Sequence, residues 1–367
     1  MTTSPASDAG ADAPAAAEPL ALCARTPRVS PQELVAGLVP PPRFDAVRFA
    51  TYRPDPAQPS QREAVRVLTA FAERVGEAGA GGGPGWRRLL RRPGRRAASA
   101  DAPRGVYLDG GYGVGKTHLL ASVWHAAPVA PDRKAFCSFG ELTHLVGALG
   151  FARTVDTLRE HRLLCIDEFE LDDPGDTVLV STLLGRLAEA GVALAATSNT
   201  LPGRLGEGRF AAADFLREIQ GLAAHFRTVR IEGEDYRHRG LPRAPEPCTD
   251  DEVVRVAHQR RHASLDAFPD LLSHLATVHP SHYGALCARV DTVCLTGVTT
   301  VTDQAAALRL VVLADRLYDR RVPVVASGTP FDRLFDERLL AGGYRKKYFR
   351  AVSRLTALAR EGRAGAR

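Results

Sequence analysis

Gly110-Gly111-Tyr112-Gly113-Val114-Gly115-Lys116-Thr117 is the stretch that decides the fold. It has the form GxxxxGK[ST], directly after an apolar run at 106–108 and directly before a helical pattern over 117–126. Glycines at these spacings let the chain curl so that successive backbone N–H groups point at phosphate oxygens, and the helix that follows adds the positive end of its dipole. Lys116 is placed to reach β- and γ-phosphates, and the Thr117 hydroxyl to hold Mg²⁺. The candidate nucleotide-binding set therefore runs from Gly110 through Thr117 and includes the next residue, His118.

About fifty residues on, Arg162-Leu-Leu-Cys-Ile-Asp167-Glu168 is an apolar strand ending in two carboxylates. Asp167 fits a Mg²⁺ ligand, direct or through water, and Glu168 fits the general base that polarises an attacking water. A further apolar run at 192–196 leads into Thr197-Ser198-Asn199. Where a strand is inserted between the phosphate-loop strand and the Asp-Glu strand, a polar residue at this point orients water near the γ-phosphate; Asn199 is the candidate.

Short strands at 106–108, 135–139, 163–166, 192–196 and 228–231 alternate with helical segments, which predicts an α/β fold of βαβ units around a parallel sheet flanked by helices. Apolar residues at Ala64, Val65, Leu68, Phe71, Ala72 and Val75 predict a preceding helix with Ser60 as its cap. The expected domains are a disordered tail at 1–40, rich in Pro and Ala, and a phosphate-loop ATPase core at 41–236. That core carries an Arg/Gly-rich loop at 79–103. A Pro-rich linker at 237–262 and a mixed α/β region at 263–367 complete the chain.

Composition excludes several classes. With 367 residues, 45% hydrophobic and 25% charged, the chain is neither a small stapled scaffold nor wholly disordered. No apolar run reaches the length of a membrane span. Met1 to Pro19 lacks the basic start and apolar stretch of a signal peptide, so a cytoplasmic location is expected. Six scattered cysteines without a CxxC pair predict reduced thiols rather than a zinc site or disulfides. The net charge of +6 comes almost wholly from arginine: lysine stands only at 116, 134, 346 and 347. Such a bias makes general basicity weak support for a polyanion partner.

The phosphate loop, the Asp-Glu strand and Asn199 together resemble the AAA+ class. More narrowly, the sequence resembles the ZapE family of bacterial cell-division ATPases and its mitochondrial relatives. The resemblance rests on Tyr52-Arg-Pro-Asp-Pro-Ala-Gln-Pro-Ser-Gln61, Leu164-Cys-Ile-Asp-Glu-Phe169 with Asp173 and Asp176, Thr197-Ser-Asn199, Asp235-Tyr-Arg237, Leu313-Ala-Asp-Arg-Leu-Tyr-Asp319 and Ser353-Arg-Leu355. It implies ATP and Mg²⁺ as bound groups, ATP hydrolysis, a homo-oligomer, and action on the FtsZ division ring at the inner face of the membrane. The family's His-Phe-His segment after the phosphate-loop helix is replaced here by Phe136-Cys-Ser-Phe139. The class also implies an arginine finger from a neighbouring subunit; among Arg204, Arg209, Arg217 and Arg227, Arg209 best matches the family pattern. Arg354 is the candidate second sensor.

Two other functions share these motifs. A helicase-loader or replication-initiator ATPase would use the 79–103 arginines on DNA, and a nucleotide-gated scaffold would bind ATP without turnover. Finally, Val293-Cys-Leu-Thr-Gly297 and Val322-Pro-Val-Val-Ala-Ser327 echo the Asp-Glu strand and the strand of Asn199, with 33 residues from Cys165 to Ser198 and from Cys294 to Ser327. Thr296 and Gly297 then stand in the places of Asp167 and Glu168, a copy without metal-binding chemistry.

Overall fold

Strands that are apolar on both faces need cover on both sides, and a parallel sheet between two helical layers provides it. The computed structural model of the protein describes residues 18–77, 105–111, 113–171, 174–201, 205, 216–233 and 243–364. Among these, β1 (Gly105–Gly110), β2 (Lys134–Ser138), β3 (Leu163–Asp167), β4 (Ala193–Ser198) and β5 (Phe226–Ile231) form a parallel sheet in the order β2-β3-β4-β1-β5. Thus β4 lies between the phosphate-loop strand β1 and the Asp-Glu strand β3, as the sequence predicts. The helices of this unit are α1 (Pro31–Ala36), α2 (Pro59–Glu77), α3 (Lys116–Ala126), α4 (Phe139–Leu149), α5 (Phe151–Leu158), α6 (Pro174–Glu189) and α7 (Leu216–Ala224).

Alternate strand residues supply two cores. Tyr107, Cys137, Ile166 and Leu194 pack with Phe139, Leu142, Leu183 and Ile219 on one face. Val106, Leu108, Cys165 and Ala195 pack with Leu68, Phe71, Leu119 and Leu120 on the other. Phe139, read as the end of a strand, opens α4 instead. Ser138 and Glu141 form a reciprocal cap there, the Glu141 carboxylate accepting the Ser138 N–H at 2.7 Å. Ser60 is no cap either: it lies inside α2, and its hydroxyl accepts the Glu232 N–H at 2.9 Å. Lys134 is explained by the end of α3, where its ammonium donates to the Trp124 and Ala127 carbonyls at 2.7 and 3.1 Å.

The chain divides into two units, Arg28–Leu241 and a second made of Met1–Pro27 with Pro242–Arg367. The second unit contains α8 (Asp250–Gln259), β6 (Ala263–Ala267), α9 (Phe268–Leu275), α10 (Tyr283–Leu286), β7 (Thr292–Val298), α11 (Gln304–Asp319), β8 (Val324–Gly328), α12 (Glu337–Ala341) and α13 (Arg345–Ala364), with a parallel sheet in the order β6-β7-β8. The expected linker at 237–262 is therefore corrected: 250–259 is a helix of this unit, closed by a Thr249/Glu252 capping box. In the described part of that stretch, the Pro-rich 243–249, apart from the Cys248 bridge to β8, and the turn at 260–262 are without regular structure.

Residues 18–40, expected to belong to a disordered tail, are also ordered; 1–17 and the 79–103 loop lie outside the described residues. Sheet edges explain this. Leu20 pairs with the outer edge of β6, donating to Ala263 O and accepting from Leu265 N–H, both at 2.8 Å. Leu38 likewise accepts the Phe136 N–H on the outer edge of β2. Leu22 and Leu38 are buried in consequence. Leu22→Ala should then destabilise the protein by about 2–5 kcal/mol, the cost of truncating a fully buried leucine. A urea midpoint equal to the parent's would contradict that placement.

The echo is present in the backbone. The register of β6 on β7, Ala263 opposite Thr292, reproduces that of β2 on β3, Lys134 opposite Leu163. Both first strands lead into a helix that opens on phenylalanine, Phe139 or Phe268. The correspondence slips by one on the third strand: Cys165 faces Ala195, whereas Cys294 faces Val325. Ser327 thereby takes the place of Thr197 rather than that of Ser198.

None of the six cysteines is in a disulfide, and burial pushes the Cys287 and Cys294 thiols up to about 12. No helix among the described residues is long and apolar enough to cross a membrane.

Candidate active site

The carboxyl ends of β1, β3 and β4 bring the predicted residues together, the position where parallel α/β sheets bind ligands. Gly113 and Gly115 turn the loop through positive φ (81° and 85°) into α3. Gly115 has a second constraint: a Cβ there would stand 2.7 Å from the Tyr52 ring. Tyr52 in turn donates its hydroxyl to the Val114 carbonyl at 2.8 Å, so the Tyr52–Gln61 segment braces the loop from outside. In the sequence, Tyr52 stands out only as part of the stretch that carries the family resemblance. Its signal, an aromatic residue far from the loop in sequence, cannot be assigned a contact without the fold.

Lys116 donates from Nζ to the carbonyls of Gly110 (2.9 Å) and Gly111 (2.6 Å) and to Asn199 Oδ1 (2.8 Å). Asn199 therefore reaches the phosphate loop from β4. Tyr107, buried beneath, fixes the following residue by donating to Thr200 O at 2.8 Å. Thr117 Oγ1 meets both Asp167 oxygens, at 3.1 and 3.0 Å. A hydroxyl and a carboxylate converging from a phosphate loop and a strand end are hard oxygen donors, the set that suits Mg²⁺ beside phosphates. Glu168 follows in the left-handed region (φ 55°), half-buried at the strand end.

Asp109 lies one residue before the end of β1, beneath the loop. Burial raises its pKa, and the positive charges of Arg230 and Lys116 oppose the rise. His118 turns away from the loop opening: its Nε2 lies 3.0 Å from Thr51 Oγ1 and 3.2 Å from Arg48 O, with its ring edge-on to Tyr52. Tyr112 and Arg209 lie outside the described residues, as does Arg204. Arg217 and Arg227 are both exposed. Arg354, the candidate second sensor, is engaged within its own unit: it pairs with Asp315 and lies over the Tyr318 ring. Sequence reasoning missed Thr197, whose hydroxyl donates to Asp167 Oδ1 at 2.5 Å and accepts the Glu168 N–H at 3.0 Å.

Comparison with known proteins agrees with this geometry. Cell division protein ZapE of Escherichia coli K12 is 33% identical over 163 residues, 41% of this chain and 43% of that protein. Lactation elevated protein 1 homolog B of Danio rerio is 25% identical over 296 residues, 65% of this chain and 58% of its own. The chain thus spans only about half the length of these curated relatives. Among solved structures, the DnaC helicase loader matches at 17% identity with a TM-score of 0.34, covering 52% of this chain and 99% of its own. The model of the AFG1-like ATPase family matches residues 29–260 and 246–364. With nearly the whole described chain inside those matches and the phosphate loop, Asp-Glu strand and inserted strand in place, the chain belongs to the AFG1-like ATPase family, a nucleotide-binding group of the AAA+ class.

Proposed function

We propose that this protein hydrolyses ATP with Mg²⁺ and uses the cycle to remodel a protein assembly. The observation that carries this reading is the convergence of Lys116, Thr117, Asp167, Glu168 and Asn199 on one end of a single sheet. The loop amides and Lys116 bind the phosphates, and Lys116 exchanges its carbonyl partners for phosphate oxygens. Thr117 and Asp167 would hold Mg²⁺, which when bound neutralises the charge that develops on the phosphates. Asn199 orients the water, and Glu168 accepts its proton at the carboxylate. Phosphate release from ATP, abolished by chelating Mg²⁺, tests the reading; nucleotide binding without release would favour a scaffold.

The relative named a cell division protein supports a role in division, and the family resemblance extends the reading to a division-ring protein such as FtsZ as the target, at the inner face of the membrane. Asp167, Glu168 and Asn199 supply no cation opposite the γ-phosphate, so the reading includes a homo-oligomer in which Arg209 of one subunit completes the site of the next. Such fingers contribute roughly 10³–10⁵ in rate. Specific activity should rise with protein concentration. Mixing Arg209→Ala with Glu168→Gln protein should restore turnover, because one mixed interface joins an intact base to an intact finger. Absence of rescue in mixtures shown to co-assemble would remove Arg209 from that role.

A further inference from the structure

We propose that Thr197 is the positioning residue for both acidic groups of the nucleotide site. The proposal rests on the hydrolytic reading given above. Its basis is one buried hydroxyl used twice: Oγ1 donates to Asp167 Oδ1 at 2.5 Å and accepts the Glu168 N–H at 3.0 Å. Only 1% of Thr197 is exposed, so water does not compete for either bond.

Each bond fixes something the chemistry needs. Asp167 is a carboxylate free to turn about its last torsion unless an oxygen is held. Thr197 holds Oδ1, and Thr117 spans both oxygens from the other side, so the plane of the group is set before any metal arrives. Glu168 has a positive φ, which costs a non-glycine residue about 1–3 kcal/mol and persists only where the surroundings over-determine it. Thr197 supplies that determination on both sides of the Glu168 carbonyl: its hydroxyl takes the Glu168 N–H, and its carbonyl takes the Phe169 N–H at 2.7 Å. Loss of the hydroxyl leaves the second contact and removes the first.

The second unit contains the same clip without the chemistry. There Ser327, in the place of Thr197, accepts the Gly297 N–H at 2.9 Å, and Gly297, like Glu168, has a positive φ (64°). Because Thr296 replaces the carboxylate, the Ser327 hydroxyl donates to Asp250 of α8 instead. Holding the N–H is thus common to both units, while holding the metal-side carboxylate is special to the first. Ser327 is accordingly a built-in control for the purely structural part of the effect.

The test compares full-length wild type, Thr197→Val, Thr197→Ser, Thr197→Cys and Ser327→Ala for ATP turnover across Mg²⁺ concentrations and for affinity toward a fluorescent ATP analogue. Thr197→Val should keep nucleotide affinity within about threefold, since the phosphate loop is untouched. It should lose about 10–100-fold in kcat and need more Mg²⁺ for half-maximal rate, the usual scale when a group that orients a metal ligand is removed. Thr197→Ser should recover most of the rate, and Ser327→Ala should change thermal stability without changing kcat. If the valine variant does not fold, the cysteine variant, with a weaker donor of similar size, should show the same split to a lesser degree. Unchanged kcat and Mg²⁺ dependence in a folded Thr197→Val or Thr197→Cys protein, or equal losses in the Ser and Val variants, overturns the proposal alone. A wild type that binds the analogue but never releases phosphate overturns the hydrolytic reading and this inference with it.

Discussion

Glu168→Gln should bind ATP as tightly as the parent and turn it over about 10²–10⁴-fold more slowly, the contribution expected of a positioned general base. The amide is the same size and keeps the backbone at 168, so the clip from Thr197 to its N–H remains; only the capacity to accept a proton goes. Lys116→Ala should do the reverse in the first step. It removes a charged donor from the loop and leaves Asn199 Oδ1 without the Nζ contact at 2.8 Å. Affinity should fall by at least about tenfold, since hydrogen bonds involving a charged group are worth about 1.5–3 kcal/mol. An equilibrium titration beside a phosphate-release assay separates the two variants. Equal loss of binding in both would sink the assignment of Glu168 as the base.

The largest expected effect on stability lies far from the loop in sequence. Asp315 on α11 accepts from both Arg350 and Arg354 of α13, whose side chains are only 14% and 20% exposed. Desolvation opposes the Asp315 charge, but the two guanidinium groups prevail and hold its pKa below the usual carboxylate value. Asp315→Ala removes the carboxylate that two half-desolvated guanidinium groups share, and removing one partner of a buried ion pair costs about 3–5 kcal/mol. A folded-state pKa below the unfolded one means the triad stabilises fully above about pH 4, the unfolded carboxylate range, and less as pH falls through the depressed value. Wild type and Asp315→Ala urea midpoints should therefore converge on acidification. Parallel pH curves would show that the Asp315 carboxyl is not held below its unfolded pKa. The same variant bears on Arg354: as a sensor freed from its pair it would change turnover, whereas as a structural partner it changes only the midpoint.

The nucleotide site was legible because its determinants are local. A glycine loop, one lysine in an arginine-rich chain, and a carboxylate pair at a strand end each announce themselves within a few residues, and the inserted strand follows from their order. What escaped depends on distant partners. Leu20, Leu22 and Leu38 sit in Pro/Ala-rich sequence too poor in apolar residues to order itself. Leu20 and Leu38 find their partners on the outer edges of β6 and β2, which no local pattern reveals. The helix at 250–259 was hidden by the prolines before it, although Thr249 and Glu252 carried a readable capping-box signal. Thr197 escapes a sequence reading because a threonine beside an asparagine looks like strand filling. Its role appears only when β3 and β4 are laid side by side. The echo, in contrast, was detectable from two strands but misaligned by one residue on the second, a slip that moved the corresponding hydroxyl from Thr197 to Ser198.

The pairing of Leu20 with β6 also fixes an order of events during synthesis. Residues 28–241 form one continuous unit and can complete their own sheet as they leave the ribosome, since domains fold as units with the N-terminal part first. The other unit is split: the segment of Leu20 is made before residues 28–241, and the edge it covers arrives 244 positions later, from Leu20 to Ser264. Until then the early segment has no edge to bind, and afterwards the β6 edge stays open until that segment returns. Open edges are templates for pairing with other chains. Truncations that remove Leu20 to Leu22 should consequently show themselves as aggregation of the C-terminal half, while leaving the nucleotide site of soluble molecules intact.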